Sequence, residues 1–112
     1  MKRGEIWTIA GGSDYAGKPR PAVIVQEDAY DALDSVTVCL LTGNSAVVPL
    51  TRPQITPSDL NGLRGPSFLM VDKISTVQKS KLGRKVGRLA SEDIARLNRA
   101  MTVFLGIATP TK

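Results

Sequence analysis

The chain contains no histidine and a single cysteine, and no apolar run in it approaches the ~20 residues that a membrane-crossing helix needs. Without imidazole there is no Ser-His-Asp or Cys-His catalysis, no histidine acid–base pair and no imidazole metal ligand. With Cys39 alone there is no intrachain disulfide and no cysteine-based zinc site, which needs several nitrogen or sulfur ligands. The first residues, Met1-Lys2-Arg3-Gly4-Glu5-Ile6-Trp7, are basic but lack the apolar stretch of a secretory signal. A lone cysteine fits a reducing compartment, so a cytoplasmic protein is expected. Chemistry is left to Arg, Lys, Asp, Glu, Tyr, Ser and Thr.

What is present describes one globular domain over residues 1–112, with 42% hydrophobic and 22% charged residues. The net charge of +5 is unevenly placed. Residues 1–78 carry 7 basic and 8 acidic residues, whereas residues 79–112 carry 8 basic and 2 acidic. The cluster Lys79, Lys81, Arg84, Lys85 and Arg88 suggests a surface for a polyanion, a plain solvated face being the alternative. Glu27, Asp28, Asp31 and Asp34 form an acidic stretch expected to lie away from any nucleic acid or to repel one.

Hydrophobic periodicity predicts a mainly β chain. Glu5 to Ala10 alternates, with Ile6 and Thr8 on one face and Trp7 and Ile9 on the other. Gly11 to Pro19 reads as a loop. Pro21 to Gln26 reads as a buried central strand, and Ser35 to Leu41 as another, ended by Thr42-Gly43-Asn44. Prolines 49, 53 and 57 allow at best an edge strand. Asn61-Gly62 marks a turn, Ser67 to Lys73 a fourth apolar strand, and Lys85 to Leu89 a short basic last strand. Then the period changes. Ser91 is the expected helix N-cap, and Ile94, Leu97, Met101, Phe104 and Leu105 form one apolar stripe before Gly106 as the C′ residue. The expected architecture is a small antiparallel barrel or sheet with one C-terminal helix packed on it.

Three residues stand where strands meet loops, the usual place for functional groups. Arg20, between Pro19 and Pro21, is held on a stiff backbone. Thr42 follows the strand 35–41, where its hydroxyl and the amides of Gly43 and Asn44 offer an anion site. Asp72 ends an apolar run, where desolvation is expected to raise its pKa. Each also has an ordinary reading: a surface arginine, a turn threonine, and a strand-end ion pair of Asp72 with Lys73.

Taken in order, several segments resemble the MazF/PemK/Kid family of toxins. They are Lys2-Arg3-Gly4-Glu5-Ile6-Trp7, Gly17-Lys18-Pro19-Arg20-Pro21-Ala22-Val23-Ile24-Val25 and the strand ending in Leu41-Thr42. Pro57-Ser58 with Asn61-Gly62-Leu63, Val71-Asp72-Lys73-Ile74-Ser75-Thr76 and Arg84-Lys85-Val86-Gly87-Arg88-Leu89 continue the match. The resemblance implies an SH3-like β-barrel with a C-terminal α-helix, a homodimer in the cytoplasm, and no metal or other cofactor. It implies the toxin of a type II toxin–antitoxin pair that cleaves single-stranded RNA by attack of the 2′-OH on the adjacent phosphate. The products are a 2′,3′-cyclic phosphate and a 5′-OH end.

The family's Arg-Pro arginine matches Arg20, its threonine after the third strand matches Thr42, and the acid of some members matches Asp72 as general base, with Asp14 in reserve. The arginine those members carry two residues earlier is here Met70. The RNA groove is then expected to draw on Asp14, Tyr15 and Lys18 in the first loop, and on Arg52 and Lys73. Lys79, Lys81, Arg84 and Lys85 would extend its basic surface. An acidic, partly disordered antitoxin is expected to cover the same groove. A gyrase-binding, non-nuclease toxin of CcdB type and a non-catalytic RNA-binding barrel are the alternatives.

Overall fold

The computed structural model of the protein describes residues 1–10, 19–44 and 52–108. Its strands are β1 (Glu5–Ile9), β2 (Arg20–Ile24), β3 (Ser35–Thr42), β4 (Gln54–Ile55), β5 (Ser67–Gln78) and β6 (Leu82–Arg88), followed by α1 (Ser91–Phe104). They form a six-stranded sheet in the order β4-β5-β3-β2-β1-β6, and every pairing is antiparallel. The proline-flanked segment is reduced to the two residues of β4 at one edge, as a residue type without an N–H donor requires. β5 and β6 extend further than the apolar pattern predicts, because their polar ends are held by backbone pairing to β3 and β1.

The alternation along β1 sorts its side chains between two cores. Ile6 joins Val23, Cys39, Leu41, Ile55, Leu69, Val71 and Leu89 on the face that the helix covers with Leu97 and Ala100. Ile9 joins Ala22, Ile24, Val36 and Val38 on the other face, where Trp7, Leu40, Val77 and Leu82 pack against them. Val77 and Leu82 flank a tight turn, Lys79–Lys81, that carries the chain from β5 over this second cluster to the far edge strand. The sheet therefore curls into a half-barrel. Leu97, 1% exposed, is the anchor of the helix, and truncating such a side chain to alanine typically costs about 2–5 kcal/mol.

Two helix expectations need correction. Ser91 is the first helical residue and not the cap: Asp93 and Ile94 donate their N–H groups to the carbonyl of the extended Ala90, which has no capping side chain. Burial of Leu89 fixes the chain just before this point, so the turn into the helix begins one residue early. The apolar stripe packs only as far as Met101, leaving Phe104 and Leu105 about half exposed. The C-terminus matches expectation. Gly106 has φ +74°, its N–H bonds to Val103 O at 3.1 Å, and Ile107 N–H reaches Thr102 O at 2.9 Å. That double closure satisfies carbonyls that the helix itself cannot.

The Asn61-Gly62 turn is also found, organised by the buried Asn61. Its Oδ1 accepts from Ser58 N–H at 2.9 Å and Leu63 N–H at 3.0 Å, and its Nδ2 donates to Thr56 O at 2.9 Å. Among the described residues no helix is long and apolar enough to cross a membrane.

Candidate functional site

Arg20 opens β2 and Thr42 closes β3. The two strands pair as Ala22↔Leu40, Val23↔Cys39 and Ile24↔Val38. Carried two residues further, that register sets Arg20 level with Thr42 on neighbouring strands, which lie about 4.8 Å apart. Period-two alternation places both on the face of Ala22, Ile24, Val36 and Val38, so a guanidinium and a hydroxyl continue that face past its apolar end. Thr42 Oγ1 accepts the N–H of Asn44 at 3.2 Å. This turn corrects the expected anion cradle, since the Asn44 amide is directed at the threonine's own oxygen. The hydroxyl, having accepted there, retains its O–H to donate.

Asp72 departs from expectation. Its carboxylate pairs with Arg52 and not with Lys73: Arg52 Nε donates to Oδ1 at 3.0 Å and Nη2 to Oδ2 at 2.9 Å. The hydrogen bonds from Arg52 hold the Asp72 carboxyl below the usual carboxylate range, against a smaller opposing effect of burial. The expected rise in pKa is therefore reversed, because a fixed guanidinium outweighs the partial desolvation. Asp72 sits in an irregular stretch of β5. β3 pairs Leu41 with Leu69 and Cys39 with Ile74, so Met70 to Lys73 bulge opposite Leu40, two residues along β3 from Thr42. Burial pushes the nearby Cys39 thiol up to about 12, with the Asp72 charge adding to it, which leaves the cysteine a packing residue with no nucleophilic character.

The basic cluster is real but partly neutralised. Lys85 pairs with Glu5 at 3.0 Å, and Lys79 Nζ contacts both the backbone carbonyl of Asp31 and its Oδ1, the latter at 3.2 Å. The acidic stretch thus adjoins the basic turn and is not remote from it. Lys73, Lys81 and Arg84 are exposed. Thr8 Oγ1 accepts the backbone N–H of Arg84 at 3.0 Å, and Lys81 O accepts that of Ala10 at 2.8 Å. Ile9 pairs with Arg20 on one side and Leu82 on the other, so the start of β6 lies two strand spacings from Arg20, about 10 Å. Asp14, Tyr15 and Lys18 lie outside the described residues.

The arrangement gathers hydrogen-bond donors and cations with one ionised carboxylate. A planar arginine and a hydroxyl at strand ends suit the oxygens of a phosphate diester, and the exposed cations suit the rest of a polyanionic chain. The sequence names Arg52 and Asp72 separately but not as a pair. The only local hint is Pro53, which extends the backbone at Arg52 and so favours an edge position beside β5.

Known proteins share this plan. Residues 2–105 match the family described as PemK-like, MazF-like toxin of type II toxin-antitoxin system. The probable endoribonuclease MazF of Mycolicibacterium smegmatis is 49% identical over 108 residues, which cover 96% of this chain and 99% of that protein. The endoribonuclease MazF of Staphylococcus saprophyticus is 30% identical over 97% of this chain and 94% of its own length. A solved endoribonuclease in complex with its cognate antitoxin, from a mycobacterial species, superposes with a TM-score of 0.82 at 26% identity, covering 98% of this chain and 99% of that one.

Proposed function

This chain belongs to the PemK-like, MazF-like family of type II toxin–antitoxin toxins, and from that premise we propose how it acts. It is an endoribonuclease, and its substrate is single-stranded RNA. The 2′-OH attacks the adjacent phosphate without a metal, leaving a 2′,3′-cyclic phosphate and a 5′-OH end. Arg20 and Thr42 hold the non-bridging oxygens as charge develops on them, a task that rewards donors fixed in advance. Asp72 takes the 2′-OH proton through a lone pair that Arg52 leaves open, and Asp14 is the reserve acceptor. Tyr15, Lys18, Arg52 and Lys73 contact the RNA near the scissile bond. Lys81 and Arg84 track its backbone further out, with smaller shares from Lys79 and Lys85, whose charges are partly met by Asp31 and Glu5.

The observation that supports this reading is the β2–β3 register, Ala22↔Leu40 to Ile24↔Val38, which carried two residues further would bring Arg20 level with Thr42 on one face of the half-barrel. The nuclease reading stands over the non-nuclease alternatives because the relatives matched along nearly the full chain are endoribonucleases. The protein works in the cytoplasm as a homodimer. Its partner is an acidic antitoxin that folds over the cationic groove, as complementary charge and coupled folding allow.

The test is incubation of the purified protein with mixed RNA in EDTA, followed by mapping of the new ends. Cleavage to cyclic phosphate and 5′-OH ends is expected, and Arg20→Ala should abolish it. Intact RNA with the wild-type protein, or undiminished cleavage by Arg20→Ala, overturns the reading.

A further inference from the structure

The pairing of Arg52 with Asp72 uses only half of the guanidinium. Nε–H and one Nη2–H face the carboxylate. The opposite edge, Nη1–H with the second Nη2–H, donates to nothing among the described residues. An arginine carries its donors in one rigid plane, so a carboxylate that fixes one edge also fixes the direction of the other. The two side chains are 19% and 29% exposed, so the pair lies at the surface. Each carboxylate oxygen likewise accepts one bond from Arg52 and keeps further lone-pair capacity.

The strand register places this pair beside the proposed phosphate site. β4 pairs with β5 as Gln54↔Phe68 and Ile55↔Ser67, and carrying that register back two residues sets Arg52 level with Met70. The bulge that holds Asp72 lies opposite Leu40, two residues or about 7 Å along β3 from Thr42. Arg20 therefore stands on one side of Thr42, on β2, and Arg52 on the other, at the edge beside β5. An RNA strand seated on Arg20 and Thr42 would continue past Arg52.

We propose that Arg52 is a two-edged positioning residue, whose inner edge fixes Asp72 and whose outer edge grips an RNA phosphate flanking the scissile one. The proposal rests on the reading of this chain as an RNA-cleaving enzyme. One rigid plane then links the seating of substrate charge to the orientation of the proton acceptor. The groups facing Asp72 are Arg52 from the segment before β4, its chain neighbour Lys73 and the thiol of Cys39 on β3. The thiol is uncharged at any working pH, so the two cations set the behaviour of the carboxylate.

The experiment measures binding of a uniformly 2′-deoxy oligonucleotide, which lacks the attacking hydroxyl, over a range of salt. It is paired with an NMR titration of the Asp72 carboxyl, on wild type, Arg52→Ala and Arg52→Lys. Arg52→Ala should reduce the slope of log K against log salt by about 0.7, one single-strand phosphate contact. It should also move the Asp72 titration up toward the free aspartate value of ~3.9. Arg52→Lys should keep the slope while kcat on RNA falls on the order of tenfold, because an ammonium has no second edge. An unchanged slope in Arg52→Ala, or an unmoved Asp72 titration, overturns the proposal even where the wild type cleaves RNA. A wild type that fails to cleave while Arg52→Ala still lowers the slope overturns the cleavage reading and leaves the phosphate grip supported.

Discussion

The β2–β3 register, Ala22↔Leu40 to Ile24↔Val38, carried two residues further brings Arg20 level with Thr42, just beyond the last apolar residues of the face they share. On the reading proposed above, a cation and a hydroxyl in that relation would hold a phosphate from two strands at once.

Removing either donor should therefore act on chemistry and hardly on folding. Thr42→Val keeps the shape but deletes the hydroxyl, and kcat/KM on RNA should fall by about 10²–10³, the usual loss for one preorganised donor. Arg20→Lys should fall comparably, since an ammonium loses the bidentate geometry. Denaturation midpoints should place both variants within about 1 kcal/mol of wild type. A large loss of stability alongside the loss of activity would assign the two residues to the fold.

The pH profile follows from two facts, the missing imidazole and the anchored carboxylate. No inflection is expected near pH ~6.5, the free histidine value. The Asp72 pKa is lowered, so its carboxylate is ionised throughout the neutral range and is protonated only as pH falls through its depressed value. The acid limb of cleavage should lie below ~3.9, where the sequence alone suggested a position at or above it. A bell centred near neutrality, measured by initial rates, would remove Asp72 as the proton acceptor.

The basic surface should divide by partner. Lys81→Ala with Arg84→Ala should lower the salt slope for single-stranded RNA by about 1.4, two contacts at roughly 0.7 each. Lys85→Ala should change it less, because Glu5 already engages that ammonium. Equal effects from all three lysine and arginine truncations would show that the ion pair with Glu5 does not persist in solution.

Glu5 makes a second, purely structural pH prediction. Burial acts to raise its pKa. Hydrogen bonds from Lys2 N–H, the Trp7 indole and Lys85 oppose it, and together they hold the carboxyl down at about 2. A depressed acid contributes stability above its unfolded value of ~4.3, and that contribution is lost as pH falls through the folded value. Stability should thus decline between about pH 4.5 and pH 2. Glu5→Gln should cost at most about 3 kcal/mol at neutral pH, less to the extent that water screens the exposed Lys85, and should flatten that decline. Urea midpoints at a series of pH values check both.

Where a signal is local the sequence displays it. The split of Ile6 from Trp7 and Ile9 is a period-two pattern within five residues, and it reappears as the split between the two cores. Prolines 53 and 57 likewise confine β4 to an edge without reference to anything distant. What stays hidden depends on which strands meet. Arg52 and Asp72 are 20 residues apart and become partners only because β4 pairs with β5. Glu5 and Lys85 meet across the pairing of β1 with β6, so composition reveals the positive charge near the C-terminus but not its local neutralisation. The helix stripe runs on to Leu105 in the sequence, whereas contact ends at Met101. Periodicity reports which way a side chain points, not how far the sheet beneath it extends.

The place of β1, between β2 and the edge strand β6, has a consequence for synthesis on the ribosome. Arg20 and Thr42 emerge early, but the strand that supports Arg20 lacks its outer neighbour until residue 88 has been made. The helix that seals the other face is later still, ending at Phe104. Contacts that join the two ends of a chain form last and slowly. The framework around Arg20 is therefore complete only once nearly the whole chain has been made.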